Sequence, residues 1–144
     1  MQFPKIIIDT REQRPLVFDP LPITIKKLDF GDYSLKGYEN RICIERKSVP
    51  DLWGTITQKD NWSRFNIELA KAQIAGCKLH IVIEGSVTSI LKGSKYSIMA
   101  PSKVLDRLFE VCHRYGSFAV FAGEQGFAND LVLSILRGAW RVEQ

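Results

Sequence analysis

The sequence predicts an α/β fold, an α/β/α sandwich with helices on both faces of a central mixed sheet. Three observations carry that reading. The first third of the chain holds short β-branched runs separated by turn residues. The remainder alternates amphipathic helical segments with short apolar runs. No repeat, low-complexity tract or Pro/Gly/Ser-rich linker interrupts the series. At 144 residues with 45% hydrophobic side chains, the chain suits one domain over residues 1–144, because a chain of this size buries about two thirds of its unfolded surface.

Lys5 to Asp9 (KIIID) reads as a buried strand broken by the turn-rich TREQRPLVFDPLP, which leaves Asp9 at a strand end. In ITIKKLDFGDYSL, Ile23 and Ile25, then Leu28 and Phe30 before Gly31, give a strand, a turn and the start of the next strand. Arg41 to Lys47 (RICIERK) is the clearest strand. Its period of two sets Ile42 and Ile44 on one face and Cys43, Glu45 and Lys47 on the other. A helix starts directly after it, with Ser48 as N-cap, Pro50 in the first turn and Asp51 completing an S-x-x-D box. In NWSRFNIELAKAQIAG, Phe65, Leu69 and Ala72 form an apolar stripe flanked by Ile67, Ala70 and Ile74, and Gly76 closes the helix. Lys78 to Gly85 (KLHIVIEG) is nearly continuous in apolar residues, as expected of a central strand covered on both faces. The polar segment after it is a connection with a short helix over Ser86 to Leu91. Ser102 to Tyr115 repeats Val104, Leu108, Val111, Cys112 and Tyr115 at helical spacing, and SFAVFAG is a short buried strand. A last helix runs from Glu124 or Asn129 to about Trp140, where Leu131, Ile135 and Ala139 lie beside Val132, Leu136 and Trp140.

Composition excludes several classes. Twenty basic residues against sixteen acidic ones leave a net charge of +4 and a pI near 9.0, at the edge of what nucleic-acid-binding domains show. No apolar run approaches the roughly 18 residues of a membrane span, and MQFPKIIIDT lacks signal-peptide anatomy. An intracellular location without a membrane partner is therefore expected: cytoplasm or nucleoid in a prokaryote or phage, nucleus in a eukaryote. Cys43, Cys77 and Cys112 are odd in number, widely spaced and set in apolar stretches, so they read as buried thiols. His80 and His113 have no ligand partner at metal spacing, so no zinc is expected.

The acidic residues of the first third gather at strand ends: Asp9 and Glu12, Asp29 and Asp32, then Glu45. Asp29 reads as a turn residue. Glu45 and Lys47 share one sheet face, and a neighbouring strand end bearing Asp32 would bring a second carboxylate beside Glu45. Two carboxylates about 4 Å apart repel by roughly 4 kcal/mol at the effective dielectric of a partly buried site. A hard divalent cation relieves that repulsion. Mg2+ is commonly held by one or two carboxylates plus waters and phosphate oxygens, and an adjacent lysine supplies charge or positions an attacking water. The pattern points to phosphodiester cleavage, although an isolated E-x-K is an ordinary exposed strand pair.

Asp9-Thr10-Arg11-Glu12, Gly31-Asp32 and Glu45-Arg46-Lys47-Ser48-Val49-Pro50-Asp51 match in order the motifs DxRE, GD and ERKxxxD. In them, and over most of its length, the chain resembles the XPF family of structure-specific endonucleases. The resemblance implies a restriction-endonuclease-like fold and DNA cleavage near branches, flaps or junctions, dependent on Mg2+ with Mn2+ as a substitute. By motif position it implies a catalytic centre of Asp32, Glu45 and Lys47 supported by Arg46 and Asp51, with Asp32 and Glu45 as metal ligands and Asp9 and Glu12 extending the acidic cluster. It implies in-line attack on the phosphate with the 3′ oxygen leaving, service in DNA repair or recombination, and pairing as a homodimer or with a related nuclease domain. Family members usually add a tandem helix-hairpin-helix domain, and some a helicase domain; neither fits within 144 residues.

Arg11 and Arg64 carry over as DNA-binding positions. Arg46 falls on the strand face opposite Glu45, which suits an orienting ion pair better than a phosphate contact. Trp62 suits stacking on unpaired bases, and Lys92 and Lys95 suit a DNA path; the plainer readings are packing and solvated surface. Helix capping and site support both explain Asp51. Leu131, Ile135 and Trp140, on the wide apolar face of the last helix, suit a dimer interface. A competing reading makes the chain a non-catalytic branched-DNA-binding module that recruits a partner nuclease. That reading expects a broken ERK or GD motif, and both are intact.

Overall fold

The computed structural model describes residues 1–123 and 126–144. Six strands form one mixed sheet: β1 (Ile6–Ile8), β2 (Ile23–Ile25), β3 (Tyr33–Leu35), β4 (Ile42–Ser48), β5 (Lys78–Glu84) and β6 (Phe118–Phe121), in the order β2-β1-β3-β4-β5-β6. β3 runs antiparallel to β1 and β4, and the other neighbours pair in parallel. The helices are α1 (Val49–Thr57), α2 (Lys59–Ile74), α3 (Val87–Leu91), α4 (Pro101–Tyr115) and α5 (Ala128–Glu143).

Side-chain alternation along β4 divides the core in two. Cys43 joins Leu79, Ile81 and Ile83 of β5 beneath α1, α2, α3 and α4. Ile42 and Ile44 join Ile6, Tyr33 and Val82 beneath α5 and the β1–β2 connection, which contributes Leu16 and Phe18. The result is the α/β/α sandwich that the alternation of elements implies. Strand passes into helix without a loop at Ser48, whose Oγ accepts the Asp51 N–H at 3.1 Å, satisfying one of the free amides of the first turn.

Three expectations need correction. β5 is covered on both faces but lies one place from the sheet edge. SFAVFAG forms that edge rather than a buried strand, and Phe118 is 55% exposed, because an edge strand flanked by helix ends has part of its surface left uncovered. Ile67 and Ile74 do not flank the buried stripe of α2; they are 54% and 86% exposed. Each stands two residues from a stripe member, which is about 200° around the helix. The last helix begins at Ala128, one residue before Asn129; its alternative start, Glu124, lies outside the described residues. The three cysteines are free and buried. Among the described residues, no helix is long and apolar enough to cross a membrane.

Candidate active site

The antiparallel pairing of β3 with β4 builds the site. Tyr33 pairs with Ile44 and Ser34 with Cys43, so the register continued by one step sets Asp32 opposite Glu45. Gly31 permits this approach: it has φ +72°, and a Cβ there would stand 2.6 Å from the Ile44 carbonyl oxygen, so only glycine fits. The Asp32 N–H donates to the Ile44 carbonyl at 2.6 Å, and its carbonyl accepts from the Asp9 N–H at 2.9 Å. Asp32 Oδ2 accepts from the Arg46 N–H at 2.7 Å. The Asp32 main chain is thus fixed by β4 on one side and by the end of β1 on the other, and its carboxylate is oriented by the Arg46 N–H.

Glu45 and Lys47 project toward α1 and α2, with side chains only 12% and 15% exposed. Lys47 Nζ lies 3.7 Å from Glu45 Oε1 and 5.3 Å from the centre of the Phe65 ring. From α2, Glu68 lines the same cleft as Glu45. Asp32, Glu45 and Glu68 line a cleft of about 460 Å³ with Arg11, Arg64 and Lys71. An adjoining cleft of about 380 Å³ holds Lys47 and Asp51 and shares Arg64 and Glu68 with the first. Burial pushes the Glu45 carboxyl well above the usual carboxylate range; the charges of Asp32 and Glu68 push it further, against the pull of Lys47. Burial likewise raises Asp32 to about 6, with Glu12 and Glu68 adding to the rise and the Arg46 N–H and Lys47 opposing it. Carboxyls held above their ordinary range in a cleft mark a candidate functional site.

The other face of β4 carries a supporting network. Arg46 is ion-paired through Nε to Glu84 and through Nη1 to Glu12 at 3.0 Å, and it donates to the Arg14 carbonyl. Glu12 also accepts the Tyr33 hydroxyl at 2.5 Å, and that hydroxyl accepts the Leu16 N–H at 2.9 Å. Asp9 is 1% exposed. Its Oδ2 accepts from the N–H and Nε of Arg11, and its Oδ1 accepts from the Leu28 N–H. Burial alone would raise the Asp9 carboxyl, but these bonds hold it below the usual range. Both oxygens of Asp9 and Oε2 of Glu12 therefore orient Arg11, Arg46, Tyr33 and the backbone.

Of the remaining sequence-derived candidates, Asp51 and Arg64 meet at the second cleft and the others lie outside both clefts. Asp51 stands in the first turn of α1 at the second cleft. Arg64 lines both clefts and donates to Asn61 Oδ1. Trp62 is half-buried against the core, and the Arg107 guanidinium lies over its ring at 5.6 Å. Lys92 ends α3, and Lys95 lies over Tyr96 at 5.1 Å, both in the α3–α4 connection. Leu131, Ile135 and Trp140 are half-buried against the second core, Trp140 meeting Phe3 edge-on at 5.5 Å. Sequence reasoning missed Glu68 and Glu84. The one signal for Glu68 was its position a turn past Arg64 in the helix after the ERK strand. Glu84 ends β5 on the same face as Val82, the register partner of Arg46.

Among the described residues, no three carboxylate, histidine or cysteine side chains converge on one ion position. Asp32 and Glu45 therefore form a two-carboxylate centre with Glu68 beside it. Among the described residues, the potential metal ligands that line the cleft are carboxylate oxygens, a donor set that fits Mg2+ or Mn2+ better than a soft metal.

Fold and site together define an α/β/α sandwich with paired carboxyls and a lysine on its central strand. Residues 8–131 match the ERCC4 domain model, and the chain belongs to the ERCC4 domain family. Among solved structures, XPF from Aeropyrum pernix is similar with a TM-score of 0.74 at 18% identity, over 96% of this chain and 66% of that one. XPF from Aeropyrum pernix in complex with DNA gives 0.73 at 17%, with the same coverage. The chain thus spans 66% of the length of these structures. No curated protein matches it.

Proposed function

We propose that the chain is a divalent-cation-dependent DNA endonuclease that cuts near branches, flaps or junctions. The observation that carries this reading is the juxtaposition of Asp32 and Glu45 across the β3–β4 pairing with Lys47 beside them. Membership of the ERCC4 domain family and the likeness to an XPF seen in complex with DNA support it.

Asp32 and Glu45 would hold the cation, which when bound supplies charge stabilisation at the scissile phosphate and activates water. Lys47, fixed between Glu45 and the Phe65 ring, orients the attacking water or neutralises charge on the phosphate. Attack is in line, and the 3′ oxygen leaves. Arg11, held by Asp9, forms a positive rim with Arg64 and Lys71 along which the DNA backbone runs, and Lys92 and Lys95 extend that surface. The Arg46 ion pairs fix β4 so that the Arg46 N–H stays on Asp32. Two copies pair through the half-exposed margins of Leu131, Ile135 and Trp140; light scattering is expected to give twice the 16.4 kDa chain mass, and a monomer would contradict this.

The test incubates the protein with end-labelled 3′ flap, fork, four-way junction and plain duplex DNA in Mg2+, Mn2+ or chelator. Cutting near the branch that requires a cation is expected. Binding without cutting in either metal would favour a recruiting module, and failure to bind DNA at low salt would remove both readings.

A further inference from the structure

The connection between α3 and α4 is anchored at both ends. Ile90 in α3 is fully buried, and Met99 packs against the first core just before Pro101 opens α4. Between these anchors the chain turns back on itself. Gly93 takes φ +82° and its N–H donates to the Ile90 carbonyl at 3.0 Å; the Tyr96 N–H donates to Ser94 Oγ at 3.2 Å and the Ser97 N–H to the Ser94 carbonyl at 3.3 Å. This pinned tip presents two apolar side chains outward: Tyr96 is 86% exposed and Ile98 fully exposed.

Single exposed apolar residues need no explanation, but these come with a charge pattern. Residues 85–105 hold Lys92, Lys95 and Lys103 and no acidic residue, and Lys95 Nζ lies 5.1 Å from the centre of the Tyr96 ring. An aromatic face among lysines, with no carboxylate in the segment to repel a polyanion, suits stacking on unpaired bases. Plain duplex offers phosphates but no free base face, and lysines alone would serve it. The tip also belongs to the sheet face on which Glu45 and Lys47 lie. Met99 shares its core with Cys43, Leu52 and Phe65, and α3 starts against α1, where a Cβ on Gly85 would strike the Val49 side chain.

We propose that the α3–α4 tip reads the unpaired bases of a branched DNA substrate: Tyr96 stacks on one base, Ile98 packs against the next, and Lys92 and Lys95 hold the flanking phosphates. This rests on the endonuclease reading and deepens it, because the tip then selects DNA with a single-stranded arm over plain duplex.

The test reads anisotropy of a labelled flap with a single-stranded arm and of a plain duplex of equal length, at low salt in chelator, for wild type, Y96A, Y96F and I98S. Y96A and I98S are each expected to lower the ratio of flap to duplex affinity by about 10-fold, and Y96F, which keeps the ring, to stay close to wild type. Melting is expected to be unchanged because both side chains are exposed. Independently of any variant, 5-iodouracil in the unpaired arm is expected to photo-crosslink wild type at Tyr96, located by peptide mass. An unchanged ratio in either Y96A or I98S, equal losses on flap and duplex, a loss in Y96F as large as in Y96A, or a crosslink only outside the tip would overturn the proposal. Sedimentation with phosphatidylserine vesicles that Y96A and I98S abolish, with the DNA ratio unaltered, would assign the tip to a membrane surface instead. If wild type binds the flap, these failures leave the endonuclease reading standing; if wild type binds neither DNA, that reading falls and the proposal with it.

Discussion

Removing the charge of Asp32 while keeping its shape should stabilise the metal-free protein at neutral pH. The folded state holds this carboxyl at about 6 against an ordinary value of 3.8. Between those values the native state keeps a proton that the unfolded chain has lost, so stability is highest below the lower value and falls as pH rises through the higher one. The interval from 3.8 to about 6 comes to about 3 kcal/mol at about 1.4 kcal/mol per pH unit. Asp32→Asn removes that penalty while its Oδ still accepts the Arg46 N–H. For a domain of this size, about 3 kcal/mol corresponds to a rise of about 6–12 °C in Tm. The assay is thermal unfolding by circular dichroism in chelator at about pH 8 and about pH 4, on either side of the titration. The variant should melt well above wild type at the higher pH, and the gap should close at the lower one. A variant no more stable than wild type at the higher pH, or a gap unchanged with pH, would refute the reasoning.

Gly31→Ala forces a Cβ to 2.6 Å from the Ile44 carbonyl oxygen at a φ of +72°; a loss of about 2–4 kcal/mol is expected in urea unfolding, and an unchanged midpoint would contradict the packing described. Arg46→Ala strands Glu12 and Glu84 without their cation and should cost about 2–4 kcal/mol by the same measurement, with Arg46→Lys recovering only part because a single ammonium cannot serve both carboxylates as the fork does. Lys47→Ala should lower the single-turnover cleavage rate by about 100-fold while DNA affinity, read by anisotropy, changes little; an unaltered rate would remove Lys47 from the chemistry.

Much of the fold was legible because its elements bury distinct faces. The period of two in RICIERK separates the two cores, and the spacing of Val104, Leu108 and Val111 marks the face of α4 that packs on the sheet. β6 was misjudged because an apolar run looks the same at an edge as in the centre; pairing order decides exposure, and order is not a local property. Asp32 and Glu45 were legible from strand ends and the period of two. Asp9 and Glu12 look equivalent to them in sequence, which shows charge but not lone-pair occupancy; the structure adds that both Asp9 oxygens and Oε2 of Glu12 accept from Arg11, Leu28, Tyr33 and Arg46. Glu68 and Glu84 stayed hidden because tertiary packing, which no spacing along the chain encodes, brings Glu68 into the cleft of Glu45 and Glu84 onto Arg46.

Cleavage of an end-labelled flap by Glu45→Gln, beside wild type and with Mg2+ or Mn2+, bears most directly on whether paired carboxylates on β3 and β4 perform the chemistry. Wild type should cut near the branch only with the cation. The variant should bind the same DNA at least as tightly, because it has lost a negative charge facing the phosphates, and should not cut in either metal. Cutting by the variant at the wild-type rate and position would place the reaction somewhere other than the Asp32–Glu45 centre.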